Sequence, residues 1–407
     1  MKKKISKTRS IEQKVQRIYQ SVSPSLYPKK EEKKNVKKFH FFMKNMFFNY
    51  LKIPLGFLEK KTMLEFGSGT GEYSLSYLLW GMKCDFVEAN PISVKKFKFY
   101  CKKYAKGKNF KIYNLSLMNF RTKKKYDFVS SLGVIHHTDF KKAFKIKAKF
   151  LKKNGFMMLG IGNSAGMFQR NLQRFILYYL CDENKDKMYE YAKILFKPFL
   201  LRAQKHGKRT LDSIIYDNFI NPKDHHPSIN DLINLAKKTK LKLYSAWPPV
   251  MPVFLSNSAQ STPSKMENYV NVLFSNSIFN LIHKNEDDQK LHLVNKLVSK
   301  DIKKITDVLK IVNNIGDKKL PSINKIKNKL NYLKKKRIIN LEFLNEINNV
   351  YSKSDFSILV KEISILLTKL KHKNIYFLKK FLDNTKVLFK GNSGLGMNYY
   401  IFYKSDD

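Results

Sequence analysis

Three glycines at alternate positions constrain the fold more than any other feature of this chain. They are Gly67, Gly69 and Gly71, and they follow a short apolar run that contains Glu65. Apolar residues at helical spacing come next, so the order predicts a buried strand, a tight turn and a helix. Glycine removes the Cβ atom where backbone must pass close to a ligand, and a helix start offers unpaired N–H groups. The pattern therefore indicates a nucleotide-like cofactor at the turn.

The spacing of the glycines separates two classes of cofactor. A dinucleotide fingerprint, G-x-G-x-x-G, would need its third glycine where Glu72 stands, and a carboxylate there would repel a pyrophosphate. Glu65 at the strand end instead suits a cationic ligand. The stretch resembles the first motif of class I S-adenosylmethionine-dependent methyltransferases, E/D-x-G-x-G-x-G. The resemblance implies S-adenosylmethionine as the cofactor, with contacts from Glu65, Gly67, Ser68, Gly69, Thr70 and Gly71.

Two further strands supply the next candidate cofactor contacts. Residues 83–91 are predicted to form a buried strand that ends at Glu88, followed by Ala89 and a turn containing a proline. One carboxylate can accept two hydrogen bonds in a fork, so Glu88 is placed to bind both ribose hydroxyls. A third strand is predicted over 110–116. By resemblance its end contacts the adenine through Asn114, Leu115 and Ser116, although the family often has Asp at the first of these positions.

The remaining strand signals predict the fold class. Residues 126–137 are expected to hold the fourth strand with its functional end, which adds Leu132 and Gly133 to the cofactor contacts, and 150–161 the end of a helix, a turn and the fifth strand. A helix capped by Ser228 or Asn230 precedes a sixth strand over 241–247, stopped by two prolines. Residues 397–404 are expected to add an antiparallel edge strand. The prediction is an α/β fold with a Rossmann-like seven-stranded methyltransferase sheet, helical insertions and a long helical region before the last strand.

The strand signals also divide the chain into regions. We expect a basic helical lead-in over 1–60 whose aromatic patch packs on the main domain. The S-adenosylmethionine-binding domain covers 61–250 with a helical insertion at 164–227, a helical region covers 255–390, and 391–407 completes the sheet. Within 255–390, helical spacing predicts one helix over 291–309 and another with a single face formed by Ile358, Leu359, Glu362, Ile363, Leu366, Leu367 and Leu370.

The charge of the chain does not by itself indicate a nucleic-acid enzyme. The formal net charge is +47, from 79 Lys and Arg against 32 Asp and Glu. The lysines are spread over the whole sequence, and arginine, the better residue for bidentate phosphate and base contacts, is scarce beside lysine. Such a diffuse excess predicts nonspecific attraction to polyanions and to anionic membrane surfaces. We therefore leave a specific nucleic-acid substrate as an alternative.

Cysteine usage and hydropathy suggest a compartment. The three cysteines show no paired spacing and do not cluster with histidines, so the sequence suggests neither disulfides nor a zinc site. The basic first residues lead into a polar helix-like stretch, and we find no apolar run of about eighteen residues. We expect a cytoplasmic protein without a transmembrane segment, with peripheral membrane contact and the oligomeric state left open.

Two histidines after the fourth strand are candidate catalytic residues. Methyl transfer is in-line attack on an activated methyl group, and a hydroxyl or amine acceptor can use a general base. His136 and His137 lie where strand ends of an open α/β sheet place their ligands, and histidine titrates near neutrality. Similar G-V-x-H-H sequences recur in family members with different acceptors. One of the two histidines is thus expected to have a structural or cofactor-facing role.

A second cluster closes the first insertion, at 216–227. It resembles the D-x-F/Y-x-x-P-x-x-H segment of a methyltransferase subgroup that also has an Asn after strand five, here Asn163, and a helix with two arginines, here Arg170 and Arg174. By resemblance Asp217 and His226 would border the acceptor pocket. The alternative is that these side chains only satisfy backbone donors near a helix start. His225 and His226 lack a third ligand at a recognisable spacing, so no metal is predicted.

The absence of two sequence motifs narrows the range of possible methyl acceptors. Amino-directed nucleic-acid methyltransferases carry N/D-P-P-Y/F after the fourth strand, where this chain has residues 131–135 with no such motif, and pyrimidine carbon-5 methylation needs a cysteine nucleophile there. The sequence predicts methyl transfer to an oxygen or nitrogen of a small-molecule, sugar or lipid-linked acceptor. The alternatives are an RNA methyltransferase, or a non-catalytic methyltransferase-like module that binds a membrane or protein surface.

Overall fold

A seven-stranded sheet forms the centre of the molecule and confirms the predicted fold class. The computed structural model describes residues 13–20, 32–164, 166–207, 209–247, 324, 326–328, 353–390 and 397–406. The strand order is β3-β2-β1-β4-β5-β7-β6, with β1 to β5 parallel and β7 antiparallel to both of its neighbours. The strands are β1 (Thr62–Phe66), β2 (Lys83–Val87), β3 (Phe110–Tyr113), β4 (Tyr126–Leu132), β5 (Leu151–Ile161), β6 (Leu241–Trp247) and β7 (Asn398–Lys404).

The last strand lies inside the sheet, so its predicted edge position is wrong. β7 pairs with β5 from Phe156–Tyr403 to Ile161–Asn398, and with β6 along its other side. Burial of both faces of β7 accounts for this interior position. Ile401 and Phe402 are neighbours in the strand, so they point to opposite faces of the sheet, and both are fully buried. β6 is the edge strand instead.

Helices cover both faces of the sheet and set the ends of the strands. The helix before β6 is capped by Ser228, whose side chain and Asp231 form a capping box, while Asn230 lies inside the helix. The helix before β5 ends at Lys149, so β5 begins at Leu151 without the expected longer turn. The helices of this part are α1 (13–20), α2 (Glu32–Asn45), α3 (Leu55–Leu58), α4 (Leu75–Leu79), α5 (Pro91–Tyr104), α6 (Phe140–Lys149) and α11 (Ile229–Lys238).

The N-terminal region packs on the sheet through its aromatic residues. Phe47, in the π-helical turn Met46–Tyr50 after α2, is fully buried against Trp80 and Phe128. Phe39 stacks on Tyr73 at the start of the helical segment after β1. Met43, Met46 and Phe47 thus belong to the core on that face of the sheet, whereas Phe41, Phe42 and Phe48 are exposed.

A helical lobe stands beside the sheet and is built from two remote parts of the sequence. Its buried core combines residues such as Phe175 and Phe219 of the first insertion with Leu366 and Leu378 of the later region. The face predicted from Ile358 to Leu370 packs here, whereas the helix predicted over 291–309 and the two prolines after β6 lie outside the described residues. The lobe contains α7 (Phe168–Cys181), α8 (Lys185–Leu195), α9 (Lys197–Gly207), α10 (Leu211–Ile215), α12 (Lys353–Leu370) and α13 (Ile375–Asp383).

In the ranges that the structure describes, every helix is too short or too polar to cross a bilayer.

Candidate active site

A cavity of about 190 Å³ opens at the carboxyl ends of the central parallel strands. The strand order reverses between β1 and β4, and open α/β sheets bind ligands in the crevice at such a point. The segments after β1, β2, β3 and β4 form its walls, and α1 covers one side. The lining residues that the sequence had singled out are Gly67, Gly69, Glu88, Ala89, Leu115, Ser116, Leu132, Gly133 and His137.

The glycine loop is required for packing as well as for ligand approach. Gly67, Gly69 and Gly71 all have positive φ angles. A Cβ atom on Gly67 would lie 2.2 Å from a Val134 methyl carbon, and one on Gly71 would lie 1.9 Å from the Phe97 ring. Two of the three glycines therefore make room for protein side chains. The helix that follows begins only at Leu75 and has five residues, so it is later and shorter than the sequence suggested.

Glu88 is held in place by the backbone on both sides of the cavity. Its Oε2 accepts the Gly69 N–H and its Oε1 accepts the Asn90 N–H, each at 2.8 Å. Burial raises the pKa of Glu88, and these backbone donors oppose the rise. Each carboxylate oxygen has further acceptor capacity. The side chain therefore joins the β1 and β2 loops while it can still accept hydrogen bonds from a ligand in the cavity.

Asn114 does not line the cavity but fixes the loop that does. Its amide nitrogen donates to the backbone carbonyls of Glu88 and Ala89, at 2.9 and 3.1 Å. An ionised Asp, which the family often has here, has no hydrogen to donate to these carbonyls. The departure from the family pattern at this position is thus matched to a local backbone contact. The adenine contact expected for Asn114 stays a prediction.

Three polar residues at the end of β1 and in the loop after it, Glu65, Ser68 and Thr70, are not among the residues that line the cavity. Glu65 is 2% exposed, its Oε2 has no hydrogen-bond partner among the described residues, and burial raises its pKa to about 7. Ser68 is also buried. The Thr70 hydroxyl bonds to Glu72, and Lys96 lies 3.5 Å from the same carboxylate. The cofactor contacts predicted for Glu65, Ser68, Thr70 and Gly71 stay predictions.

Among the four candidate catalytic side chains, all of them described, only His137 lines the cavity. Its Nε2 lies 2.8 Å from the Tyr19 hydroxyl and its Nδ1 lies 2.7 Å from the Lys223 carbonyl oxygen. His136 stacks on it with ring centroids 3.9 Å apart and is buried. Burial and the neighbouring His137 lower the pKa of His136 well below its usual value. His136 is therefore neutral and removed from the cavity surface.

Asp217 reaches the cavity wall through Tyr19. One carboxylate oxygen of Asp217 accepts a hydrogen bond from the Tyr19 hydroxyl at 2.8 Å. The other oxygen accepts hydrogen bonds from both terminal nitrogens of Arg209, each at 3.1 Å. Burial acts to raise the pKa of Asp217, but Arg209 and His137 outweigh it and lower the pKa. The carboxylate is ionised and already paired with donors.

His226 belongs to a buried network of the helical lobe. Asp224 bonds to Arg170 at 3.0 Å and lies 3.0 Å from His226 Nε2 and 3.5 Å from Arg174. Burial lowers the pKa of His226 to about 4. His136, His137 and Asp224 are close enough together to hold a metal ion, but two guanidinium groups already neutralise Asp224 and oppose a further cation. The cluster thus ties α7 to the segment before α11.

The sequence reasoning missed the contribution of α1. Val15, Gln16, Tyr19 and Gln20 line the cavity, and the Asn90 side chain donates to the Tyr19 carbonyl at 3.0 Å. The helical spacing of 11–19 was recognisable, but nothing in it shows where the helix docks. Val134 and Thr138, on either side of the two histidines, were also missed as lining residues.

Comparison with protein families identifies the part of the chain that carries this cavity. Residues 31–193 match a family model described as a methyltransferase domain. The match confirms, for this part of the chain, the resemblance to class I S-adenosylmethionine-dependent methyltransferases. Comparison with curated proteins gave no match.

Several solved structures are similar to parts of this chain at low sequence identity. PKMT2 from Rickettsia typhi, in complex with AdoHcy, is 17% identical over 57% of this chain and 46% of that one, with a TM-score of 0.40. YcgJ from Bacillus subtilis is 14% identical over 46% of this chain and 65% of that one, with a TM-score of 0.30. Magnesium protoporphyrin IX methyltransferase from Synechocystis PCC 6803, with bound SAM, is 16% identical over 32% of this chain and 59% of that one, with a TM-score of 0.26. The chain thus spans less than half the length of PKMT2.

Proposed function

From the premise that residues 31–193 form a class I methyltransferase domain, we propose that this chain transfers a methyl group from S-adenosylmethionine to an oxygen or nitrogen of a small-molecule, sugar or lipid-linked acceptor. The observation that carries the proposal is the cavity where Glu88 bridges the Gly69 and Asn90 backbones. When bound, S-adenosylmethionine would supply a methyl group on a positive sulfur.

The residues around the cavity fit such a cofactor. Glu88 keeps acceptor capacity for ribose hydroxyls, and Val87, Leu115 and Leu132 offer apolar surface to a base. Gly67 and Gly69 let the loop backbone face the cavity directly. Glu65, with one buried oxygen unpartnered beneath this loop, is retained as the residue for the amino-acid part of the cofactor. The acceptor would enter on the side formed by Val134, His137 and Thr138.

The first test is equilibrium binding of S-adenosylhomocysteine by calorimetry, with Glu88→Ala as the variant. The change removes the charge-assisted acceptor, and losing one hydrogen bond to a charged group costs about 1.5–3 kcal/mol, so affinity should fall by at least about 10- to 100-fold. Asp127→Asn is the matched control, because Asp127 bonds to Thr62 at the opposite end of the sheet. Equal affinities of the wild type and Glu88→Ala would remove Glu88 from the site. Binding heat that is absent in the wild type would favour a non-catalytic module.

The acceptor class is tested by methyl transfer from labelled S-adenosylmethionine into fractionated cell extract. Label that moves into a solvent-extractable or low-molecular-weight fraction supports the proposed acceptors. Label that nuclease treatment releases would identify RNA instead, and such an enzyme should also bind RNA with a steep salt dependence.

A further inference from the structure

Among the residues that the structure describes, only one of the two helical layers on the sheet exposes large apolar side chains. α2 to α5 cover the face that contains Met63 and Ile401, and α6 and α11 cover the opposite face. On the first layer Phe41, Phe48 and Phe99 are 71%, 59% and 53% exposed, whereas every large apolar side chain of α6 and α11 is at least partly buried. Exposed apolar patches mark interaction sites when they are large. The outer side of the first layer is therefore a candidate docking surface.

Lysines alternate with the exposed aromatic residues of α2. Lys37, Phe41, Lys44 and Phe48 are exposed at helical spacing along α2 and the π-helical turn after it, while the other side of the helix belongs to the core. The sequence has neither Asp nor Glu over 33–58. The exposed side of α2 thus presents aromatic rings among positive charges.

α5 carries the same kind of surface on the same layer. Lys95, Phe99 and Lys102 are exposed three or four positions apart, and Lys103 lies over the Phe99 ring at 5.6 Å from its centroid. The sequence again has no acidic residue over 89–126. The basic and aromatic character therefore extends beyond α2 to another helix of the layer.

An anionic phospholipid surface fits this combination of groups better than a protein or an RNA does. Phenylalanine rings carry no polar atom and can enter the boundary between headgroups and acyl chains, while lysines keep their ammonium groups at the lipid phosphates. A second copy of the chain would bring the same lysines to a twofold interface, so like charges would face each other. Arginine, which suits RNA through stacking and forked phosphate bonds, does not occur over 33–58.

α2 also flanks the strand ends that form the cavity. The Phe42 ring lies 6.2 Å from the Tyr399 ring, between centroids, and Tyr399 pairs with Gly160 near the end of β5. The Gly160 carbonyl accepts the N–H of Gly133, which lines the cavity, at 2.8 Å. A membrane bound to α2 would therefore lie near the edge of the sheet at which the cavity opens.

We propose that the exposed side of α2 and its π-helical turn is a docking surface for an anionic phospholipid membrane. Phe41 and Phe48 enter the lipid boundary, and Lys37 and Lys44 bind lipid phosphates. The inference goes beyond the proposed function. Where it rests on that function, it favours the lipid-linked class among the proposed acceptors, because docking would place the cavity beside them.

The test is cosedimentation of the full chain with phosphatidylcholine vesicles that contain or lack phosphatidylserine, near physiological salt. The wild type should bind the anionic vesicles at least about ten-fold more tightly than the neutral ones. Phe41→Ser/Phe48→Ser keeps every charge but loses both rings, so binding should fall at least about ten-fold. Phe377→Ser, at a 64% exposed position of α13, is the matched control and should stay within about two-fold of the wild type. Equal losses in the two variants would overturn the inference.

A pair of charge variants separates this surface from the diffuse excess of lysine. Lys37→Gln/Lys44→Gln and Lys141→Gln/Lys145→Gln each remove two exposed lysines, the first pair from α2 and the second from α6. Each lysine near an anionic surface strengthens binding about five-fold, so the α2 pair should lose about 10- to 30-fold. The α6 pair should lose no more than about two-fold because its lysines face away from the membrane. Losses of the same size would show that binding follows total charge, which overturns the inference.

The other occupants of the surface have their own signatures. Polyuridylate that binds as tightly as the anionic vesicles, and that Phe41→Ser/Phe48→Ser weakens to the same extent, would identify a site for single-stranded RNA and overturn the inference. A wild-type dimer in sedimentation velocity that becomes a monomer in this variant would identify a second copy and overturn it too.

S-adenosylhomocysteine binding separates the two proposals. Phe41→Ser/Phe48→Ser should bind it like the wild type, because neither residue lines the cavity. Wild-type protein that binds S-adenosylhomocysteine but no anionic vesicles overturns the docking surface and leaves the proposed function standing. Wild-type protein that binds the vesicles but no S-adenosylhomocysteine contradicts the proposed function and supports the docking surface.

Discussion

Burial shifts the pKa values of two ionisable residues, Glu65 and Lys147, in opposite directions because it disfavours the charged form of each. Glu65 is 2% exposed and burial raises its pKa to about 7. Lys147, on α6, is fully buried, donates to the Met158 carbonyl at 3.1 Å, and has its pKa lowered well below the usual value by burial. Each charge favours the charged form of the other, but neither gains enough to cancel desolvation. These residues should therefore make the stability of the ligand-free chain depend on pH.

Glu65→Gln should reveal this dependence. The folded-state pKa of about 7 lies above the unfolded value, so the stabilising protonation is complete below the unfolded pKa and is lost as pH rises through about 7. The free energy of unfolding of the wild type should fall relative to Glu65→Gln by about 2–3 kcal/mol between about pH 5 and about pH 8. Urea unfolding at both pH values measures it. Glu59→Gln, at an exposed site, is the control, and a gap that is the same at both pH values would contradict the assignment.

Among the elements, α12 shows why a charged residue can occupy a buried helical face. Glu362 belongs to the apolar face predicted from the sequence and is 8% exposed. Its carboxylate accepts the consecutive backbone N–H groups of Lys386, Val387 and Leu388, at 2.5, 3.2 and 2.8 Å. Glu362 thus fastens the segment after α13 to α12, because three donors that would otherwise be unpaired face one anion.

Glu362→Gln should destabilise the lobe. The amide keeps one acceptor oxygen but places an NH₂ group against backbone donors, so we expect a loss of about 1–3 kcal/mol in the free energy of unfolding. The measurement is the urea midpoint at unchanged slope. Glu190→Gln, at an exposed ion pair with Lys193, should stay within about 0.5 kcal/mol of the wild type. A result in which both variants behave alike would show that the contacts to 386–388 carry no stability.

Local sequence patterns predict individual strands, helices and loops well, but they do not predict which elements lie next to each other in the fold. The glycine loop, the strand before Glu88 and the face of α12 follow from periodicity and from residue chemistry within a few positions, although β2 ends at Val87, one residue earlier than predicted. The position of β7 between β5 and β6 does not follow from such patterns. The alternation of apolar and polar residues along a strand shows which side chains are buried, but not which strands pair with it. The hydroxyl contacts of Tyr19 join positions 118 and 198 residues apart, and such pairs leave no spacing signal in a single sequence.

At the scale of the whole molecule, the sheet and the lobe are each completed by residues from the C-terminal part of the sequence. β7 fills the gap between β5 and β6, and α12 and α13 complete the core begun by α7 to α10. The residues that line the cavity come from α1 and from the segments after β1 to β4, and the Tyr19 hydroxyl connects this lining to Asp217 of the lobe. The lobe therefore contacts the cavity wall through Tyr19.

The interior position of β7 predicts a pattern of hydrogen exchange. An interior strand has both edges paired, whereas an edge strand leaves alternate N–H groups open to solvent. In deuterated buffer the amides of β7 should exchange as slowly as those of β5, and alternate amides of β6 should exchange much faster. Site-resolved NMR exchange rates measure this. Fast alternate exchange in β7 with uniform protection of β6 would reverse their assigned places.

The place of β7 also orders events during synthesis of the chain. The side chains of Asn163 and Asn398 form a hydrogen bond although they are 235 positions apart in the sequence. β5 therefore lacks its second neighbouring strand, β7, until those residues have been translated. β1 to β5, with the loops that face the cavity, are complete long before. During synthesis, one side of β5 is therefore left without its native strand partner until the last residues are made, and an unpaired strand edge of this kind favours aggregation.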